Sequence, residues 1–89
     1  MISVTERATK ELAAIWEMHA ANPEQFLRLA GVFDGRLFFS LDSEREEDEV
    51  VRGEGGVVLV IDADLASTFA GATIDCIDTP DGARLTIDR

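Results

Sequence analysis

Cysteine and histidine, the thiolate and imidazole ligands of metals, are scarce in this sequence. Its 89 residues include one cysteine, Cys76, and one histidine, His19. A single cysteine excludes an internal disulfide and fits a reducing compartment, so we expect a cytoplasmic protein. Cysteine and histidine are the usual protein ligands of zinc and related metals. The composition therefore predicts neither a bound metal nor a cofactor.

Long apolar runs and clusters of basic residues are also missing. The longest apolar run, residues 57–61, is far shorter than the roughly 20 residues that cross a bilayer. Glu6 and Arg7 interrupt the N-terminus before an apolar stretch develops, so we expect no signal peptide. Eight Lys and Arg are scattered among 18 Asp and Glu, giving a net charge of −10. That charge repels nucleic-acid phosphates and anionic lipids, so we expect neither a nucleic-acid nor a membrane partner.

The remaining pattern predicts a single α+β domain over residues 1–89, because a chain of this length is too short for a second core. Helical spacing predicts a helix over residues 5–21, with Thr5 as N-cap and Pro23 beyond its end. Apolar residues recur on one face of this helix at Ala8, Leu12, Ile15 and Trp16.

After the helix the apolar period changes to two, which predicts strands. We expect strands at residues 26–32, 36–41, 57–61, 73–78 and 83–88. Asp34-Gly35 predicts a hairpin turn between the first two strands, and residues 79–82 predict a turn between the last two. A short strand at residues 2–4 and a second helix over residues 63–70, capped by Asp62, complete the prediction.

Apolar positions on the inner faces of these elements predict the core. We expect it to contain Leu12, Ile15, Trp16, Leu27, Leu29, Leu37, Phe39, Leu59, Ile61, Ile74, Leu85 and Ile87. Cys76 shares a strand face with Ile74, so we interpret this thiol as a small buried hydrophobe. His19 lies near the end of the first helix, where it interacts favourably with the helix dipole.

Residues 42–49 hold six carboxylates and one arginine, which predicts an exposed, solvated loop. Their spacing does not match a calcium-binding loop, and the run contains no glycine for a sharp turn. The glycines of residues 53–56 precede a strand and not a helix, so they predict a turn and not a phosphate site. Nothing in the local sequence supports a Ser–His–Asp arrangement around His19. We therefore predict no catalytic, cofactor-binding or metal-binding residue.

Five segments are recognisable by their order and spacing. They are residues 1–8 before an amphipathic helix, Leu27-Arg28-Leu29, the acidic residues 42–50, the apolar residues 56–62, and residues 71–75. Together they resemble the HesB-type domains, the A-type or IscA-like carriers of iron–sulfur assembly. The resemblance implies a compact distorted β-sandwich or pseudobarrel with one N-terminal helix and a short second helix.

The sequence departs from this family at its cluster ligands. Members that carry a cluster have a cysteine in a Gly-Cys-Ser-Gly type segment, and an ungapped alignment on residues 48–50 places Val32 there. The family's C-terminal Cys-Gly-Cys has no counterpart before Arg89. The resemblance thus implies a degenerate, non-catalytic member that serves as a protein-interaction or regulatory module. The alternative is a divergent iron-binding or iron–sulfur assembly accessory protein, with weak iron binding through carboxylates, His19 or Cys76.

The segment aligned with the lost cysteine is the candidate interaction surface. In the family this segment faces a site shared between subunits, and here it contains Val32, Phe33 and Asp34. An exposed aromatic residue beside a turn is a common anchor at protein interfaces, so we expect a protein partner or a homo-oligomer. The competing interpretation is that Phe33 folds back into the core.

Overall fold

Seven strands and two helices make up the computed structural model, which describes residues 1–53 and 55–89. In chain order the elements are β1 (Ser3–Val4), α1 (Glu6–His19), β2 (Phe26–Phe33), β3 (Arg36–Asp42), β4 (Glu49–Gly53), β5 (Gly56–Ile61), α2 (Ala63–Thr68), β6 (Thr73–Thr79) and β7 (Gly82–Asp88). None of the described helices is long and apolar enough to cross a membrane.

Helix α1 begins at the predicted cap. The Thr5 hydroxyl oxygen accepts a hydrogen bond from the Ala8 N–H at 3.1 Å and donates to Asp75 on β6 at 2.7 Å. Ala8 and Leu12 are completely buried, so the apolar stripe faces the core as its spacing predicted. The helix ends at His19, two residues earlier than predicted, because Ala20 already has an extended backbone.

The three-stranded sheet has the order β1-β6-β7. β1 pairs with β6 in parallel, with Ser3 opposite Thr73, and β6 pairs with β7 in the antiparallel direction. The β6–β7 hairpin turns at Pro80-Asp81 and continues at Gly82, whose φ of 116° favours glycine. The predicted last two strands and their turn are therefore confirmed.

The four-stranded sheet has the order β3-β2-β5-β4, with β2 and β5 in parallel and the other pairs antiparallel. The β2–β3 hairpin turns at Asp34-Gly35 as predicted, and both residues have positive φ, 53° and 73°. Two successive positive φ values are typical of the turn that matches strand twist. The register shifts between Leu29 and Gly31, so Ala30 is an extra, bulged residue.

One apolar core lies between these layers. Its largest fully buried side chains include Leu12, Leu29, Leu59, Ile61 and Ile74. All twelve residues predicted for the core belong to it or pack against it. The α+β prediction is confirmed, because the structure has two mixed sheets and two helices.

Between residues 42 and 62 the structure corrects the prediction at three points. It is not simply a solvated loop, because the side chain of Asp48 is only 3% exposed, and Glu49 already begins β4, a strand that the pattern did not predict. Asp62 stands at the N-cap position of α2 without a side-chain capping hydrogen bond, since its carboxylate pairs with Arg28 instead. The burial of Asp48 and the missing cap at Asp62 have the same cause, a buried guanidinium that attracts distant carboxylates.

Candidate functional site

The β2–β3 hairpin has two chemically different faces. On β3 the side chains of Leu37, Phe39 and Leu41 pack against the core. The alternate residues Arg36, Phe38, Ser40 and Asp42 lie on the opposite side, which we call the outer face. Arg28 and Phe33 on β2 lie on the same outer face, because they pair with Ser40 and Arg36.

Arg28 dominates one end of the outer face, and it is only 3% exposed. Its Nη1 and Nη2 atoms donate to the two carboxylate oxygens of Asp48 at 2.8 and 2.7 Å, a bidentate pair. Nη2 also donates to the Ser43 carbonyl at 2.7 Å, and Nη1 donates to Asp62. Nε faces an oxygen of Asp42 at 3.4 Å and makes no hydrogen bond within the described residues. We call these residues the Arg28 cluster.

The charges of the Arg28 cluster stabilise one another. Hydrogen bonds to Asp48 raise the pKa of the Arg28 guanidinium, and the same bonds lower the pKa of the Asp48 carboxyl. The Ser43 N–H donates to Asp42 at 2.8 Å and is the main cause of the lowered pKa of Asp42. General acid–base catalysis at neutral pH needs a group that can exchange its proton near that pH. The shifts move the pKa values of Arg28, Asp42 and Asp48 further from neutral pH, so we assign the cluster a structural role.

Exposed aromatic side chains occupy the other end of the outer face. Phe33 is 74% exposed and Phe38 is 51% exposed. Phe38 pairs with Gly31 across the strands, and a Cβ atom built on Gly31 would meet nothing within 4 Å. The two rings therefore border an open space above Gly31, and we call this feature, Gly31 with Phe33 and Phe38, the aromatic notch.

The structure separates the residues of the predicted interaction surface. Val32 packs against the core, whereas Phe33 projects from the outer face and Asp34 lies exposed in the turn. The interpretation of Phe33 as a core residue is wrong, because its partner across the strands is exposed Arg36 and nothing covers its ring among the described residues. Phe38, which was not among the predicted site residues, joins Phe33 on this surface.

Cys76 and His19 lie apart from the hairpin. Cys76 is on β6, 4% exposed, in the core cluster, as its strand position predicted. His19 is exposed in the last turn of α1. Within residues 1–53 and 55–89, no three His, Cys, Asp or Glu side chains form a group that could hold a metal ion.

A second concave surface, a groove of about 710 Å³, runs between α1 and the β4–β5 end. Its apolar lining includes Trp16, whose Nε1–H donates to the Gln25 carbonyl at 2.6 Å and is therefore unavailable to a ligand. Lys10 at the rim is paired with Glu6 at 3.7 Å. Ligand pockets combine apolar walls with convergent polar groups. With these groups paired internally, the outer face is the stronger candidate site.

The order of the two mixed sheets defines a protein with the HesB-type fold. Solved structures match it: Escherichia coli SufA, involved in biosynthesis of iron–sulfur clusters, has a TM-score of 0.70 and 17% identity over 99% of this chain and 84% of SufA. IscA with a [2Fe–2S] cluster has a TM-score of 0.64 and 18% identity over 100% of this chain and 85% of IscA. No family profile and no curated protein matches the chain by sequence. At this identity the structural likeness establishes the fold.

Proposed function

We propose that this protein is a non-catalytic interaction module on a HesB-type fold, and that it works through the outer face of the β2–β3 hairpin. One observation carries the proposal: the chain's only thiol is buried in the core, whereas the hairpin exposes an aromatic side chain. The surface that interacts with other molecules is therefore suited to apolar contact and not to thiolate chemistry.

The donor atoms of this chain do not fit an iron–sulfur cluster. Such clusters are held mainly by four cysteine thiolates, with histidine as an occasional replacement. Cys76 is the only cysteine, and it is buried in the same core cluster as Ile74 and Leu12. Even a symmetric pair of chains would supply two thiolates of the four. We therefore assign no cluster-binding residue.

The exposed end of the outer face supports the interaction role. Phe33 and Phe38 leave apolar rings in water on a hairpin whose other side packs firmly against the core. Aromatic residues are enriched among the anchors of protein interfaces. Pairing of β2 with β3 fixes the backbone at both residues, so little backbone entropy is lost when a partner binds.

The second candidate function is an accessory role in iron–sulfur assembly. The likeness of the fold to SufA and IscA favours it. In that role the protein would contact components of an assembly pathway through the same hairpin, or bind iron weakly through its carboxylates, His19 or Cys76. Iron retention separates direct metal handling from a purely protein-binding role.

Anaerobic reconstitution with iron and sulfide tests the proposal. We expect the desalted protein to remain colourless, with an iron content no higher than that of the Cys76→Ala variant. A thiol reagent should modify the native protein slowly, because Cys76 is buried. A brown protein with stoichiometric iron that is lost in the Cys76→Ala variant would refute the proposed function and favour the second candidate.

A further inference from the structure

We propose that the aromatic notch receives an apolar side chain of a partner protein, and that basic residues of this partner lie over the acidic loop of residues 43–47. This inference rests on the proposed function and specifies the chemistry of the partner. It draws on the shape of the notch, the placement of the loop and the charge of the chain.

The notch has the shape of a small receptor. Phe33 and Phe38 are diagonal neighbours on adjacent strands. The Cα atoms of such neighbours are about 7–8 Å apart, a distance that large side chains can bridge. Gly31 lies opposite Phe38 and contributes no side chain, and the space where its Cβ would stand is open. Its backbone needs no glycine, because Gly31 is not among the residues with positive φ. One apolar side chain can therefore rest on the glycine backbone between the two rings.

The acidic loop lies at the other end of the same face. It follows β3 directly and is held to β2, because Arg28 binds the Ser43 carbonyl and the Arg45 N–H donates to Asp48 at 2.6 Å. Arg28 compensates the carboxylates beneath the loop, but the exposed side chains of Glu44, Glu46 and Glu47 have no ion pair within the described residues. The negative charge of the loop is therefore directed outward.

Strand geometry fixes the distance between the two features. Phe38 and Asp42 are four residues apart on β3, which corresponds to about 13 Å along the strand. A partner that places an apolar side chain in the notch therefore needs its cationic groups roughly 10–15 Å away to reach the loop. A short extended segment or one helical face meets this requirement.

The net charge of the chain indicates which kind of partner fits the aromatic notch. The chain has a net charge of −10, so a second copy approaching this face brings further negative charge and is repelled. A partner with Lys or Arg beside its apolar anchor is attracted instead, because complementary potentials favour encounter and fix register. We therefore identify the occupant as a basic segment of another protein and not as a second copy of this chain.

The test uses a random peptide library displayed on phage and selected on the immobilised full chain. An enriched peptide is then synthesised with a fluorescent label, and its affinity is measured by anisotropy at several salt concentrations.

The variants are Gly31→Ile, which fills the notch, and Phe38→Ser, which removes one wall. Gly55→Ile is the matched control, because Gly55, like Gly31, has open space at its Cβ and no positive φ. A triple variant, Glu44→Gln with Glu46→Gln and Glu47→Gln, tests the loop.

We expect enriched peptides to combine a large apolar residue with Lys or Arg. Gly31→Ile and Phe38→Ser should each weaken binding by about tenfold, the size typical of losing an interface anchor, whereas Gly55→Ile should not. The triple Gln variant should weaken binding and flatten its dependence on salt, because screening acts on the removed charges. Unchanged circular dichroism and thermal unfolding confirm that each variant is folded.

Three outcomes overturn the inference. One is enrichment of peptides without basic residues that still lose binding in Gly31→Ile, which rejects the charge argument and leaves the proposed function standing. Another is a selection that yields no binding peptide, or peptides whose affinity is the same for the wild type and for both notch variants. The last is self-association of the wild type in light scattering that disappears in Phe38→Ser, which assigns the notch to a second copy. A brown, iron-loaded protein would instead defeat the proposed function itself.

Discussion

At the two ends of the outer face, the residue type that is usually exposed is buried and the type that is usually buried is exposed. At one end Arg28, whose guanidinium stays charged at every physiological pH, is 3% exposed, and at the other end Phe33 is 74% exposed. Charged residues are seldom buried without partners, and large apolar residues are usually buried. The difference lies in what covers each end: carboxylates and a loop carbonyl enclose Arg28, whereas no described element lies over Phe33. Burial on this face therefore follows from available partners and not from hydropathy.

The two ends of the outer face also differ in their role, because one contributes to stability and the other to interaction. The covered end is held by charge-assisted hydrogen bonds that connect β2 to segments 20 and 34 residues away in the chain. At the exposed end the Phe33 and Phe38 side chains are mostly in contact with solvent. We therefore expect substitutions at the two ends to have opposite consequences, a large loss of stability at one and a loss of binding at the other.

The largest effect is expected for Arg28→Met. Removing the guanidinium leaves the Asp48 side chain, 3% exposed, as a buried carboxylate without its partner. We expect unfolding free energy to fall by about 3–5 kcal/mol, the usual cost of breaking a buried pair from one side. Urea unfolding followed by circular dichroism measures it. The double variant Arg28→Met with Asp48→Leu should recover most of the loss, and a single variant of wild-type stability would contradict the structural role of the cluster.

An intermediate effect is expected in acid. The pKa of Asp48 is lowered in the folded state, so its contribution to stability is present above the unfolded carboxyl pKa of about 3.9. That contribution is lost as the pH falls through the lower folded pKa. The urea concentration at the midpoint of wild-type unfolding should therefore decrease once the pH is lowered below about 4. This decrease should be smaller in the Arg28→Met, Asp48→Leu variant. Glu46→Gln, an exposed loop change, should keep the wild-type profile.

The smallest effect on stability is expected for Phe33→Asp. An exposed side chain contributes little to folding, so the free energy of unfolding should change by less than about 0.5 kcal/mol. Binding at the hairpin should nevertheless be lost, as measured with the selected peptide. Met18→Asp is the matched control, because Met18 is 81% exposed and the charge change is the same. Loss of folding in Phe33→Asp alone would mean that the ring supports the core, contrary to the comparison drawn above.

Most of the fold could be predicted because its signals are local. The helix was marked by Thr5 and a 3.6-residue period, and both hairpins by Asp-Gly or Pro-Asp-Gly at the turn. The HesB-type arrangement followed from the order of short segments. Strand β4 was missed because Glu49, an acidic residue typical of the preceding loop, is its first residue.

The candidate site was less predictable because its contacts are not local. The alternating pattern of Leu27, Arg28 and Leu29 indicates that Arg28 points away from the core, but it does not show that Asp48 and Asp62 will cover it. A useful signal was available: an arginine inside a strand beside an excess of carboxylates often marks an internal ion pair. Phe33 was named, but Phe38 became part of the surface only through its register with Gly31.

The pairing of β1 with β6 has a consequence for synthesis on the ribosome. Ser3 lies opposite Thr73, so β1 is synthesised well before the strand with which it pairs. At translation rates of about 5–20 residues per second, the roughly 70 intervening residues take about 4–14 s to emerge. During that interval α1 lacks β6, one of the strands against which it packs. The nascent chain therefore completes this fold only after translation has passed β6.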